Sequence, residues 1–129
     1  MLFAERPTPD GRAPTEAVRA ICLAIPDATE RLSHGEAAWF VRDKRQFATM
    51  SDHHHDDRVA VWCAAPMGAT ETLVAARPDR YFVPPYVGTR GWLGIWLDGP
   101  VNWDEVGALL RDAFKTVAGE TPARRARPR

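Results

Sequence analysis

The stretch that decides the fold is residues 37–64, AAWFVRDKRQFATMSDHHHDDRVAVWCA. It contains three runs rich in aromatic and β-branched residues, at 37–42, 46–50 and 58–64, and such runs are typical of strands. The first two runs are joined by DKR, which is short enough for a hairpin, and the next two by SDHHHDD. Connections this short join antiparallel strands, because a parallel pair needs a crossover of a dozen or more residues. The stretch therefore predicts three neighbouring antiparallel strands.

A helical pattern precedes this stretch. Its apolar residues recur with the spacing of one helix face, and they are Val18, Ile21, Cys22 and Ile25. Thr15 is predicted to cap this helix and Pro26 to end it. Residues 1–14 hold three prolines and are predicted to form an extended lead-in. Residues 27–37 are polar and are predicted to be a connection.

The segments after residue 64 alternate between helix and strand. MGATETLVAARP fits a helix of about ten residues, with Met67 and either Leu73 or Val74 facing inward. RYFVPPYVG, residues 80–88, is predicted to be a short edge strand running into a rigid loop, because a proline pair is excluded from a central strand. GWLGIWLDG, residues 91–99, alternates two apolar faces and is the strongest strand signal in the chain.

A last helix closes the pattern. Asn102 or Asp104 is predicted to cap it, and Gly119 is predicted to stop it. A broad apolar stripe runs along it, formed by Val106, Leu109, Leu110, Ala113, Phe114 and Val117. The order of elements is helix, three strands, helix, one or two strands, helix, without regular βαβ alternation. This order predicts an α+β two-layer sandwich, in which helices pack on one face of an antiparallel sheet.

Length and charge limit the function classes. The 129 residues predict one domain, residues 15–119, followed by a basic, disordered tail at 120–129. The chain has 17 basic and 17 acidic residues, and four of the arginines lie in TPARRARPR at the end. Residues 1–120 therefore hold 13 basic and 17 acidic residues, which is not the balance of a strongly basic nucleic-acid binder. The tail alone is suited to attract phosphate.

Other sequence features predict a protein of the cytoplasm. No apolar run approaches the length of a membrane span, and the first residues contain no secretory signal. Cys22 and Cys63 lie far apart, each within an apolar pattern, so both are predicted to be small buried hydrophobes rather than disulfide partners or metal ligands.

The stretch HHHDD invites a metal interpretation, because histidine and aspartate side chains ligate transition metals. Adjacent side chains point to opposite sides of an extended chain, so only His53 and His55 share a side. No cysteine and no second histidine pair supplies the remaining ligands. The stretch is therefore predicted to be a polar turn between two strands, with no metal site.

Two further clusters carry positive charge. In YVGTRGW, two glycines bracket Arg90, with Tyr86 and Trp92 nearby, and this arrangement suits an anion or a stacked base. The alternative is that the glycines only permit a tight turn and that Trp92 is core. In RDKR, residues Lys44 and Arg45 lie at a hairpin tip, where they either contact phosphates or only add solubility.

Candidates for catalysis are few. His34 and Glu36 form a His–Glu pair without a nucleophile, oxyanion donors or a metal. Phosphate-binding loops, GxSxG and zinc-ligand spacing do not occur in the sequence. The residues themselves offer no reaction.

A resemblance to a known family rests on three strings that lie within residues 15–118. They are AVRAICLAIPDATE, SHGEAAWFVRDKRQFATM and RPDRYFVPPYVGTRGWLGIWLDGPVNWDEVGALLRDAF. With these strings the chain resembles the MmcQ/YjbR family of small bacterial proteins, which is related in fold to the frataxin homologue CyaY. The most specific positions lie in the second half, and they are Pro84, Pro85, Tyr86, Gly88, Arg90, Trp92, Leu97 and Asp98.

The resemblance implies a CyaY-like α+β fold with an antiparallel sheet and a non-enzymatic binding protein, with DNA as the ligand through a proposed double-wing shape. It implies no catalytic residues and no cofactor. Under this first hypothesis, phosphate contacts come from Arg42, Lys44, Arg45 and Arg90, and from the arginine tail.

Two other hypotheses stay open. One is a module that binds a small molecule or a protein partner with the aromatic, proline-rich loop 81–92, through Tyr86, Arg90 and Trp92. The other is a metal-dependent hydrolase, which requires ligands that converge around the histidines of HHHDD or around His34.

Overall fold

The computed structural model of the protein describes residues 11–53 and 56–119. The elements in chain order are α1 (Arg12–Leu23), β1 (Ala28–Ser33), β2 (Glu36–Val41), β3 (Arg45–Asp52), β4 (Val59–Cys63), α2 (Ala69–Ala76), β5 (Tyr81–Phe82), a 3₁₀ turn (Gly88–Arg90), β6 (Leu93–Trp96) and α3 (Trp103–Ala118). The six strands form one sheet in the order β1-β2-β3-β4-β6-β5, and every neighbouring pair is antiparallel. The α+β fold predicted from the sequence is confirmed.

Helices α1 and α3 pack against one face of the sheet. The rings of Phe47 on β3 and Phe114 on α3 meet edge to face, with centroids 5.3 Å apart. At the start of α1, the backbone N–H of Gly11 donates to the Asp52 carboxylate at 3.0 Å. The opposite face is called the distal face below, and its central residues are the cross-strand neighbours Thr49, Trp62 and Gly94.

An irregularity in strand pairing decides which β3 side chains reach the distal face. The register of β2 with β3 shifts between Trp39 and Phe40, which leaves Phe47 as an extra residue on β3. Such a bulge reverses the alternation of side chains beyond it. Phe47 therefore points towards the helices, whereas Thr49 and Ser51 point to the distal face.

The largest difference from the sequence prediction is strand β1. Residues 27–37 were expected to be a connection, and this prediction is wrong. Strand β1 lacks the apolar alternation typical of a strand because a polar contact anchors it. The Glu30 carboxylate accepts hydrogen bonds from the Arg19 guanidinium of α1 at 2.8–3.1 Å and from the Trp39 indole at 2.9 Å. The strand also lies at the sheet edge, so only one of its sides is paired.

This contact predicts a pH dependence of stability. The hydrogen bond from Arg19 lowers the pKa of Glu30 below its ordinary value of 4.5, although burial opposes the shift. The stabilisation is therefore complete above pH 4.5 and is lost as the pH falls through the lowered pKa. We expect urea unfolding to show that Glu30→Gln is less stable than the original chain at pH 6 and that this gap narrows towards pH 3.

The exposed pair of Arg31 and Asp43 supplies the control for that experiment. Exposed pairs contribute about 0–1 kcal/mol, so Asp43→Asn is expected to change stability little at either pH. A gap for Glu30→Gln that stays constant from pH 6 to pH 3 would contradict the assigned role of Glu30.

The start of α1 also differs from the prediction. The helix begins at Arg12, so residues 12–14 belong to it and not to an extended lead-in. Thr15 is not the cap; its backbone N–H donates to the carbonyl of Gly11 at 2.8 Å. Pro14 is tolerated because the first turn of a helix needs no backbone N–H donors. The rest of the predicted lead-in, residues 1–10, and the predicted tail at 120–129 lie outside the described residues.

Helix α2 is shorter than expected. Gly68 adopts a left-handed conformation, with φ of 85°, immediately before Ala69, and the helix has eight residues. Met67 therefore lies outside the helix and is fully exposed, so the prediction that it faces inward is wrong. Leu73 and Val74 are partly buried against the core, as expected.

Helix α3 matches its sequence signals. The side chain of Asn102 accepts a hydrogen bond from the Glu105 backbone N–H at 3.2 Å, and Gly119 ends the helix with φ of 79°.

We expect Asn102→Ala to lower the free energy of unfolding by about 1 kcal/mol, because a first-turn N–H loses its acceptor. Asn102→Asp should keep the cap and serve as the control in urea unfolding, and equal stability of the alanine variant and the original chain would argue against this cap.

Candidate ligand-binding cavity

A cavity of about 440 Å³ opens on the distal face of the sheet. Its sides come from the turn between β1 and β2, from β3 and β4, and from the loop between β5 and β6. The lining residues are Ser33, His34, Glu36, Gln46, Thr49, Met50, Ser51, Trp62, Tyr86, Val87, Arg90 and Trp92. The end at the turn between β1 and β2 carries His34 and Glu36, and the end at the loop between β5 and β6 carries Arg90 with the aromatic rings of Tyr86 and Trp92.

The loop that borders the aromatic end is held by its own backbone. The N–H of Gly88 donates to the carbonyl of Pro84 at 3.0 Å, and the N–H of Trp92 donates to the carbonyl of Val87 at 3.3 Å. The hydroxyl of Thr70 on α2 donates to the carbonyl of Gly91 at 2.8 Å, which ties the loop to the body of the protein. The loop is therefore ordered before any ligand enters.

Two residues of this loop have left-handed backbone conformations. Gly91 has φ of 82°, which costs glycine little. Tyr86 has φ of 67°, an uncommon value for a residue with a side chain, and its side chain is 77% exposed. Strain of this kind persists where surrounding structure imposes it, and such positions are often functional. Here the strained backbone sets Tyr86 at the border of the cavity.

The aromatic surfaces of the cavity come from separate parts of the chain. Trp62 on β4 and Trp92 before β6 are 9% and 5% exposed, so their remaining accessible edges face the cavity. Tyr86 adds a third ring from the loop. Three rings around a space of this size suit an apolar, planar guest.

Charge in the cavity is unequally compensated. The guanidinium carbon of Arg90 lies 5.5 Å from the centroid of the Trp92 ring, within the range of a cation–π contact. In residues 11–53 and 56–119, Arg90 has no carboxylate partner, unlike the ion-paired Arg19, Arg31, Arg42, Arg58, Arg77 and Arg80. Glu36, at the other end, accepts the backbone N–H of Asp52 at 3.0 Å.

The residues predicted to contact phosphate do not converge. At the hairpin between β2 and β3, Arg42 pairs with Asp27 at 3.2 Å, and Lys44 is exposed. Arg45 reaches towards α3, where it bonds the carbonyl of Val117. Arg90 lines the cavity on the distal face instead, so Arg45 and Arg90 lie on opposite sides of the sheet. By contrast, Tyr86, Arg90 and Trp92 all line one cavity.

The histidine stretch lies between β3 and β4, as predicted for a turn. The N–H of His53 donates to the carbonyl of Arg58 at 2.9 Å, which closes the connection. Residues 54 and 55 are outside the described part. Within that part, no three histidine, cysteine or carboxylate side chains gather as a metal site would require.

Sequence reasoning missed several residues of the cavity. Gln46, Thr49 and Ser51 on β3, together with Trp62 on β4, converge with the loop only through strand pairing and the Phe47 bulge. No local pattern in the sequence signals this convergence. Cys22 and Cys63, predicted to be buried, are free and buried in the core; burial raises the thiol pKa of Cys63 to about 12.

Comparisons with known proteins agree with the fold. The family model described as YjbR matches residues 23–116. The crystal structure of protein DR2400 from Deinococcus radiodurans, assigned to the domain family DUF419, superimposes with a TM-score of 0.69 at 20% identity, over 86% of this chain and 84% of that chain. No curated protein matches. Within the described ranges, no helix is both long and apolar enough to cross a membrane. The chain belongs to the YjbR family, as its motifs had indicated.

Proposed function

We propose that this protein is a non-enzymatic binding protein that holds a small molecule in the cavity on the distal face. The observation that carries the proposal is the placement of Arg90, which has no ion-pair partner among the described residues, beside the rings of Trp62, Tyr86 and Trp92. A volume of about 440 Å³ lies in the usual range for small-molecule sites, and an apolar lining with a few convergent polar groups is typical of them.

The arrangement of polar groups supports binding rather than catalysis. Glu36 is engaged with the backbone of Asp52. In the described residues, no hydrogen bond links His34 to Ser51, so no base is set to activate that hydroxyl.

A cytoplasmic location stays a prediction from the sequence.

Filling the cavity tests this function. Gln46 lines the cavity, and its side-chain amide donates a long hydrogen bond of 3.5 Å to the Ala48 carbonyl, so Gln46→Trp should block the space at little structural cost. Calorimetric titration with a panel of aromatic compounds of positive, zero and negative charge is expected to show binding to the original chain. The blocked variant should bind roughly tenfold more weakly, a difference of about 1.4 kcal/mol.

The matched control is Ala20→Trp, which adds the same ring at an exposed position of α1. It should bind like the original chain. Absence of binding by every compound, or equal binding by the blocked variant, would contradict the proposed function.

DNA binding is the second candidate, supported by the exposed basic hairpin at Arg42, Lys44 and Arg45. If the hairpin contacts phosphates, anisotropy of a labelled duplex should reveal binding by the full chain and by a chain ending at Glu120. Affinity should fall steeply with salt, and Lys44→Ala should reduce the salt dependence by about one counterion. Binding by the full chain alone would assign the effect to the arginine-rich end, and no binding at low salt would dismiss DNA.

A further inference from the structure

We propose that the cavity accepts an aromatic or heteroaromatic ring that carries an anionic group, either a carboxylate or a phosphate. This inference rests on the proposed small-molecule function and adds the chemical class of the ligand. In the bound state, the ring lies against Trp62 and Trp92, and the anionic group meets the guanidinium of Arg90.

The sign of the ligand charge follows from the charged and titratable side chains of the lining, which are His34, Glu36, Tyr86 and Arg90. The carboxylate of Glu36 already has a donor in the Asp52 backbone. The guanidinium of Arg90 is exposed and has no ion-pair partner anywhere in the described ranges, so its five N–H donors are available to a ligand. The group that lacks a counter-charge is therefore the cation.

The position of Arg90 is set in advance. Arg90 is the last residue of a 3₁₀ turn that is closed by backbone hydrogen bonds. The backbone N–H of Arg90 donates to the carbonyl of Val87, and that of Gly91 donates to the carbonyl of Gly88, both at 3.0 Å. The ring of Trp92 lies 5.5 Å below its guanidinium. Arginine recognises carboxylate and phosphate through paired, charge-assisted hydrogen bonds, and pre-positioning reduces the side-chain entropy lost on binding.

The ring requirement follows from the aromatic groups of the lining. Trp62 forms part of the sheet surface, and Tyr86 is exposed at the border. A simple inorganic anion would leave the accessible edge of Trp62 and the exposed ring of Tyr86 in contact with water. An aromatic anion covers them, and burial of apolar area then adds to the ion pair.

Four naphthalene compounds separate charge from ring. These are 2-naphthoate, 2-naphthyl phosphate, the neutral 2-naphthamide and the cationic 2-naphthylmethylamine. Calorimetric titration of the full chain at pH 7.5 is expected to show at least one anionic compound binding roughly tenfold tighter than the amide, with the amine weakest. The ratio between the carboxylate and the phosphate identifies the preferred anionic group.

The variants assign the charge preference to one side chain. Arg90→Ala should reduce the affinity of the anionic compounds to that of the amide, and Arg90→Lys should retain part of the preference. Arg111→Ala is the matched control, because Arg111 is an exposed arginine of α3 that lines a groove next to α1 and has no ion pair among the described residues. It should leave all four affinities unchanged.

The outcomes distinguish this inference from the function on which it rests. Equal binding of all four compounds, or an anion preference that survives Arg90→Ala, would overturn the inference and leave a small-molecule site. If no compound binds, the inference and the proposed function fail together.

Discussion

Replacement of Phe47 by alanine is expected to lower the free energy of unfolding by about 3–5 kcal/mol, the usual range when a buried aromatic ring is removed. The side chain is fully buried, and its ring meets Phe114 edge to face at an interplanar angle of 81°. Phe47 is also the extra residue of the bulge, where the alternation of side chains along β3 reverses. Its ring therefore packs the sheet against α3 at this point. Urea unfolding monitored by circular dichroism measures the change.

Leu32→Ala is the control for that measurement, because Leu32 is 75% exposed on edge strand β1. It should alter stability by less than about 0.5 kcal/mol. In a double-mutant cycle with Phe114→Ala, the two rings should couple by about 0.5–1.5 kcal/mol. A loss below about 1 kcal/mol for Phe47→Ala would contradict the assigned packing of β3 against α3.

Gly94→Ala is expected to destabilise the protein by about 1–3 kcal/mol, the usual effect of overpacking. A methyl group at Gly94 would lie 2.3–2.5 Å from three atoms of the Phe82 ring. The Phe82 ring has little room to move away, because it stacks on Trp96 with ring centroids 4.0 Å apart. The guanidinium carbon of Arg58 lies 3.7 Å from the centroid of the Trp96 ring and covers it. Thermal and urea unfolding both measure the effect.

Gly99→Ala provides the comparison, because a methyl group at Gly99 meets no atom within 4 Å. Removing the obstructing ring should also relieve the clash, so Gly94→Ala should be less harmful in a Phe82→Ala background. Equal stability of Gly94→Ala and Gly99→Ala would contradict close packing of Phe82 against Gly94 on the distal face.

Local signals in the sequence were sufficient for the elements that carry them. Helix α3 has an apolar stripe, a capping Asn102 and a terminal Gly119, and all three appear in the structure. Strand β1 has no such signal, because it is an edge strand held by the ion pair of Arg19 and Glu30 rather than by apolar alternation. A partner on another element decides that structure, and single-sequence periodicity does not contain it.

The candidate site divides in the same way. Tyr86, Arg90 and Trp92 lie within seven consecutive residues, so a motif search finds them together. Trp62 and Thr49 reach them only because β3 and β4 pair in one register, and the bulge at Phe47 turns Thr49 to the distal face. Neither the register nor the bulge is visible in residue type or spacing.

The most direct test of a binding site on the distal face is to locate a bound aromatic anion relative to the five tryptophans of the chain. In ¹H–¹⁵N spectra, titration with 2-naphthoate should shift the indole N–H signals of Trp62 and Trp92. The signal of Trp39, fully buried beside Glu30 on the other face, and that of Trp103 at the start of α3 should stay in place. Shifts confined to Trp103, or no shift at Trp62 and Trp92 at saturating 2-naphthoate, would contradict a binding site on the distal face.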